Sequence, residues 1–272
     1  MTKQKNAGQT LIWVILCLLA VLFLAPILLV VVNSFKSRLY ISSEPFRLPN
    51  ADTFVGWENY LSGLSSSGFL AAFGRSLFIT VLAVLLIVVG TSMTAWYIVR
   101  VKSRLTKVLY YLFVFSMIVP FQMVMFTMTY VVHQIHFNNL LGIVLVYLGF
   151  GAGLSVFMLC GFIKSIPLEI EEAATIDGCN PVQTFFLVVM PILKPTAITV
   201  AILNAMWIWN DYLLPYLVIG RDYKTIPIAV QYLKGGYGSV DMGALMAMLV
   251  LSVIPVIIFY LSMQKYIIKG VA

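Results

Sequence analysis

Six apolar runs, each approaching or exceeding the roughly 20 residues needed to cross the hydrocarbon core of a bilayer, follow one another along this chain from end to end. They lie near Leu11–Val32, Leu77–Val99, Val108–Val132, Leu141–Phe162, Ala197–Ile219 and Gly243–Tyr260. A backbone in lipid must satisfy its own hydrogen bonds, and segments of this length do so as helices. The expectation is an all-α, polytopic membrane protein with six transmembrane helices. With 61% hydrophobic and 10% charged residues and a mean hydropathy of +1.00, the 272 residues leave no stretch from which a separate soluble catalytic domain could be built. The first run is longer than a signal-peptide core and has no small-x-small cleavage site behind it, so it is expected to remain as the first span.

The net charge of +7 does not point to nucleic acid, because the basic residues sit in short links between apolar runs rather than along one soluble face. They read as topology signals. Lys3, Lys5, Arg100, Lys102, Arg104, Lys107, Lys164, Lys194, Lys265 and Lys269 fall on one side, and the other side holds seven of the 17. The richer side is cytoplasmic by the positive-inside rule, which puts both termini there. The chain is then organised as a cytoplasmic amino terminus (1–10), a first transmembrane helix (11–32), an extracytoplasmic loop (33–76) and a membrane core (77–272) with five spans and a cytoplasmic link at 164–195. Pro45, Pro49, Trp57 and Tyr60 give the external loop an extended passage followed by a short interfacial helix.

No cofactor or metal is expected. Cys17, Cys160 and Cys179 are far apart and read as packing residues. His133 and His136 lack Cys or acidic companions, and Gly149, Gly151 and Gly153 sit in an apolar run where glycine serves close helix packing rather than a nucleotide loop.

The cytoplasmic link carries the most local information. Pro167 suits a first helical position, and Glu169, Glu171 and Glu172 occupy early turns, where the helix dipole favours negative charge. Gly178 can end that helix in the left-handed region; Asn180, Pro181 and Gln183 then form a cap, a first-turn proline and a reciprocal capping partner. The punctuation predicts a helix-turn-helix elbow. Its second helix, through Phe185 and Phe186, is expected to lie at the membrane surface and to be interrupted by Pro191 and Pro195 before the fifth span. Small alanines with a polar rim suit insertion into a partner's groove, but an amphipathic connector packed on its own bundle fits the same pattern.

Glu172-Ala173-Ala174, Asp177-Gly178, Phe185 and the Met190-Pro191 to Pro195 ending resemble the EAA loop of ABC importer permeases. Trp209-Asn210-Asp211-Tyr212-Leu213-Leu214-Pro215, Asn33-Ser34-Phe35-Lys36, Glu58-Asn59-Tyr60 and Lys269-Gly270 are similar to the carbohydrate-uptake branch, in its smaller, maltose-type second permease. The resemblance implies a cytoplasmic coupling helix between spans four and five, with Glu171, Glu172, Ala173, Ala174, Asp177 and Gly178 meeting a cytoplasmic ATP-binding subunit dimer. It also implies a second permease subunit, an extracytoplasmic solute-binding protein and a site in the bacterial inner membrane among lipid, with no catalysis by this chain. The sequence departs from the family's pattern at Ala272, where such relatives often carry a further short basic tail, so a tail-to-ATPase contact is not among what the resemblance implies.

Asp211 is the one acidic residue within a predicted span and must face the bundle interior, water or a local partner such as Arg221 or the backbone. Together with Asn204, Trp209, Asn210 and Tyr212, and with Gln122 beside Pro120, it forms a candidate translocation path; local satisfaction and helix packing are the alternatives. Two other classes compete with the importer. An intramembrane hydrolase needs a nucleophile or paired acids at membrane depth, and an ion-coupled secondary carrier needs several buried ionisable groups or broken helices in matching halves. Within the importer class, an oligosaccharide is expected, with a polyol or glycerol phosphate ester as alternatives.

Overall fold

The computed structural model describes residues 7–220, 222–233 and 241–271, with side chains for 8–220, 222–233 and 241–264. Lys3, Lys5, Arg221 and Lys234, and the side chains of Lys265 and Lys269, lie outside the described residues. The chain is helical: α1 (Ala7–Asn33), α2 (Arg38–Ser43), α3 (Glu58–Ser67), α4 (Phe69–Arg100), α5 (Arg104–Ile118), α6 (Phe121–Gln134), α7 (Leu140–Ile163), α8 (Leu168–Ile176), α9 (Pro181–Gln183), a π-helical turn (Thr184–Val189), α10 (Met190–Asn210), α11 (Leu213–Val218), α12 (Ile226–Tyr232) and α13 (Met242–Val271). Among the described residues the only extended pairing is an isolated bridge between Lys36 and Phe54.

Among the described residues, five helical stretches are long and apolar enough to cross a membrane, and α5 with α6 makes a sixth only as a pair bent by 106°. The third predicted span, Val108–Val132, is therefore a bent pair and not one straight helix. Pro120 has no N–H to continue the ladder and drives Val119 out of the helical region, to φ −73°, ψ 117°, so α5 stops at Ile118. The fifth span also departs from expectation. It runs from Pro181 through the π-helical turn to Asn210, where Asp211 turns extended (φ −74°, ψ 126°), so Ala197–Ile219 is not one helix. The anticipated interruption before this span does not occur. Pro191 falls in the first turn of α10, where a missing donor is tolerated, and the wider π-helical turn leads the chain past it, with Pro195 absorbed inside the helix.

The chain forms two compact units, one ending at Leu70 and resuming over Ala229–Pro255, the other spanning Ala71–Ile228 and resuming at Val256. In the first unit, two separated motifs prove to be one structure. Asn59 Nδ2 donates to the carbonyls of Ser34 and Lys36, both at 2.8 Å, and Ser34 Oγ and Tyr60 OH lie 2.7 Å apart. Phe35 packs edge-on to Trp57, with ring centroids 5.5 Å apart. Lys36 is buried, and its Nζ donates to the Glu44 carbonyl at 2.8 Å. Burial pushes its pKa down, partly opposed by the Glu44 carboxylate. Gly243 lies so close that a Cβ there would collide with the Asn59 amide. Asp241 accepts from the Ala244 N–H at 3.0 Å and caps α13.

The second unit is built on α7, which is buried along most of its length. Ile79, Ala83 and Ile87 of α4 and Leu193, Val200 and Ile208 of α10 join Ile143, Tyr147, Val156 and Leu159 of α7 in one apolar core. Glycine sets the approach of its neighbours. A Cβ on Gly153 would stand 2.8 Å from the Phe113 carbonyl of α5, and one on Gly151 would stand 2.7 Å from Ile87 Cδ1, whereas Gly149 faces open space.

Removing the Asn59 amide strips two buried carbonyls of their donor. Asn59→Ala is expected to lower stability by about 1–3 kcal/mol, read as an earlier thermal unfolding midpoint of the detergent-solubilised chain; an unchanged midpoint would show that this knot is not stabilising.

Candidate functional site

The elbow forms as its punctuation requires. Pro167 is the residue before α8 rather than its first helical residue, a shift of one position, with Glu169 and Glu171 in the first turn. Gly178 takes φ +90° just past the helix end, and the Cys179 N–H returns to the Ala174 carbonyl at 3.0 Å. Asn180 and Gln183 exchange side-chain to backbone bonds of 2.9 Å, with Pro181 between them.

Glu171 fixes this elbow to the bundle. It is 6% exposed; Oε2 accepts from Trp96 Nε1 at 2.8 Å, and Oε1 accepts from Arg100 Nε at 2.9 Å and Nη2 at 2.7 Å. Arg100 Nη2 also donates to the Ile166 carbonyl at 3.0 Å, so one guanidinium holds both the helix and the turn leading into it. Three charge-assisted bonds on one carboxylate balance the cost of burying it. Ala174, one turn further on, is buried on the same side, and α8 rests on the π-helical turn, where Phe185 is 1% exposed and packs on Trp96 at 5.5 Å.

The six residues expected to meet an ATPase thus divide into two faces. Glu172, Ala173, Asp177 and Gly178 are exposed, whereas Glu171 and Ala174 point inward. Glu171 is held by its ion pair and keeps the elbow in position, with little of its own surface exposed. Sequence reading passed over Ile176, which is 86% exposed at the end of α8, and treated Arg100 only as a topology charge. A large apolar residue in a last turn otherwise made of polar and small residues was the available signal. Between α8 and the Pro181 turn lies an open cleft of about 450 Å³ whose lining includes Trp96, Glu171, Glu172, Thr175, Ile176 and Thr184. Thr184 Oγ1 is buried there with no partner among the described residues.

The candidate path residues are scattered. Asn204 is buried and donates to Ser155 Oγ at 3.1 Å and the Val200 carbonyl at 2.9 Å, tying α10 to α7. Asp211 lies beyond the end of α10, not within it: Oδ2 accepts from Tyr147 OH at 3.1 Å, and Oδ1 accepts from the Leu213 and Leu214 N–H groups, at 3.0 and 3.4 Å, that open α11. Trp209 is buried edge-on to Phe73, and Tyr212 stacks on Tyr216. Asn210 and Gln122 are exposed; the Asn210 amide bonds back to the Met206 carbonyl at 2.7 Å. No group of three or more His, Cys, Asp and Glu that could hold a metal occurs among the described residues.

A family model described as "binding-protein-dependent transport system inner membrane component" matches residues 86–272, which include the elbow, its Arg100 anchor and the Asp211 break. The chain belongs to this family. It is an inner-membrane component of a binding-protein-dependent transport system, a permease rather than an enzyme, and membership removes the hydrolase and the ion-coupled carrier from consideration. It is 37% identical over 255 residues, 93% of this chain and 91% of the relative, to the probable starch degradation products transport system permease protein AmyC of Thermoanaerobacterium thermosulfurigenes. It is 33% identical over 277 residues, 100% of this chain and 98% of the relative, to the multiple sugar-binding transport system permease protein MsmG of Streptococcus mutans. The fold is shared with a chain from the crystal structure of a bacterial ABC transporter involved in the import of the acidic polysaccharide alginate, at a TM-score of 0.82 and 23% identity over 98% of each chain.

Arg100→Ala would leave the Glu171 carboxylate buried without its cation, at a cost of about 3 kcal/mol, the low end for a broken buried pair because the arginine is 18% exposed. Glu171→Gln keeps an acceptor for Trp96 and is expected to cost less. Proteolytic protection of the 164–195 link in the purified chain should fall in that order; equal protection in all three proteins would remove the anchor.

Proposed function

We propose that this permease forms one half of the translocation pore of an ATP-driven importer for carbohydrate, an oligosaccharide in particular, and that α8 is its coupling helix. The observation that carries the reading is the two-faced build of α8. One face is locked to α4 through Glu171, while Glu172, Ala173, Ile176 and Gly178 stay open to a partner. An elbow that served only as a packed connector would have no reason to leave Ile176 uncovered. In this reading a cytoplasmic ATP-binding subunit dimer receives that face, a second permease completes the pore, and an extracytoplasmic binding protein delivers the solute. Closure of the ATPase dimer would rotate the bundle as a rigid body.

The names of the two relatives, one for starch degradation products and one for multiple sugars, support a carbohydrate over a polyol or glycerol phosphate ester. For the path, exposed Asn210 and Gln122 offer amides of the kind that suit a sugar, while Trp209, buried against Phe73, and Tyr212, stacked on Tyr216, back them by packing. Asn204 and Asp211 serve the same path one step removed, by fixing α10 on α7 and shaping the turn after it.

Affinity capture of the full chain from its native membrane is expected to bring down a second permease and an ATP-binding subunit. Ala173→Arg should abolish recovery of the ATP-binding subunit alone. A chain recovered by itself, or capture undisturbed by that substitution, would refute the docking assignment. Asn210→Ala, at an exposed position, should assemble normally yet cut sugar uptake at least about fivefold, the effect of one lost hydrogen bond. Full uptake would take Asn210 out of the path.

A further inference from the structure

A second site lies where α4 and α7 end and α5 begins. Here a pocket of about 760 Å³ is lined by Arg100, Lys102, Arg104, Lys107 and Lys164, with Ile98, Val99 and Cys160 among its apolar groups and no acidic residue. Lys102, Arg104, Lys107 and Lys164 form no salt bridge among the described residues, so four of these five cations have no carboxylate partner there. Lys164 sits over the Tyr110 ring at 5.4 Å, which steers its ammonium toward the pocket without neutralising it. Arg100 commits Nε and Nη2 to Glu171 and Ile166, leaving Nη1 as a further donor. The amino-terminal end of α5, capped by Ser103 and Thr106, adds the positive end of a 15-residue helix dipole. Such a concentration of positive charge calls for an anion.

The neighbouring surface says which kind. Following Arg104 and Lys107 along α5, Val108, Tyr111, Leu112, Phe115 and Ile118 are all exposed and line an almost wholly apolar groove of about 490 Å³. Residues 104, 108, 111, 115 and 118 share one helical face, so the groove continues directly from the basic end. Because Arg100 and Lys164 stand at the ends of two candidate spans, the basic pocket sits at headgroup level and the groove faces the acyl region. A soluble phosphate would have no use for the groove, and an uncharged amphiphile would have none for the cations.

We propose that this pocket and groove bind one anionic phospholipid, the phosphate held by Arg104, Lys107 and Lys164 and the acyl chains laid along α5. The site shares Arg100 with the anchor of α8, so the lipid would sit directly against the group that fixes the elbow. Nothing in this assignment depends on which solute is carried.

The test is native mass spectrometry of the full chain, purified and titrated with cardiolipin, with phosphatidylcholine and with inorganic phosphate. Cardiolipin is expected to bind in preference to phosphatidylcholine. The triple variant Arg104→Gln, Lys107→Gln, Lys164→Gln should weaken it by on the order of a hundredfold, from the usual contribution of basic residues near an anionic headgroup. Lys107→Arg with Lys164→Arg should retain it, which separates loss of charge from loss of fold, and Lys194→Gln should leave it unchanged. Leu112→Ala with Phe115→Ala should weaken cardiolipin. The proposal is overturned if the triple variant binds cardiolipin as tightly as the parent, if phosphatidylcholine binds equally well, or if phosphate displaces cardiolipin at comparable concentration, which would mark a free-anion site.

Discussion

A peptide group that leaves a helix at membrane depth must find a partner in the protein or in a water-filled cavity, and the breaks in this chain are arranged around that demand. At the end of α10 the N–H groups of Leu213 and Leu214 would be left open, and the Asp211 carboxylate takes both while Tyr147 holds its other oxygen. The acid that looked costly within an apolar run is therefore the device that lets the run end. At Pro120 the chain solves the same problem with less, since a residue without an N–H removes one of the donors needing a partner as α6 begins. The knot after α1 follows suit, with Asn59 donating to the carbonyls of Ser34 and Lys36 in the turn.

The elbow obeys this rule with charge added. A carboxylate at 6% exposure is tolerable because an indole and a guanidinium converge on it, and once formed the cluster defines which side of α8 faces inward. The helical spacing then does the rest. With Glu171 and Ala174 turned in, Glu172, Ala173 and Ile176 are turned out, so the proposed docking face is a consequence of the anchor.

Local signals in the sequence carried the elbow. Gly178, Asn180, Pro181 and Gln183 act on neighbours within a few positions, and each does in the structure what its chemistry demands. The apolar runs located the spans but not their breaks, because hydropathy measures length and composition and is blind to a backbone that turns at Val119 or stops at Asn210. The anchor was out of reach for a different reason. Trp96 and Arg100 stand 75 and 71 positions from Glu171, and nothing in their own neighbourhoods marks them as its partners. Asn33–Lys36 and Glu58–Tyr60 could likewise be picked out singly, but their mutual contact is a tertiary fact.

The connections of α8 bear on how a push at the elbow would spread. On one side it is joined to α4 by the Glu171 bonds, and on the other it leads through the Gly178 turn and the capping box into the π-helical turn and α10, which follow one another without a loop. α4 and α10 both bury their inner faces against α7, and Asn204 ties α10 to α7 at Ser155. A densely packed core of this kind deforms little, so a displacement applied to α8 would carry these three helices together rather than bend any one of them.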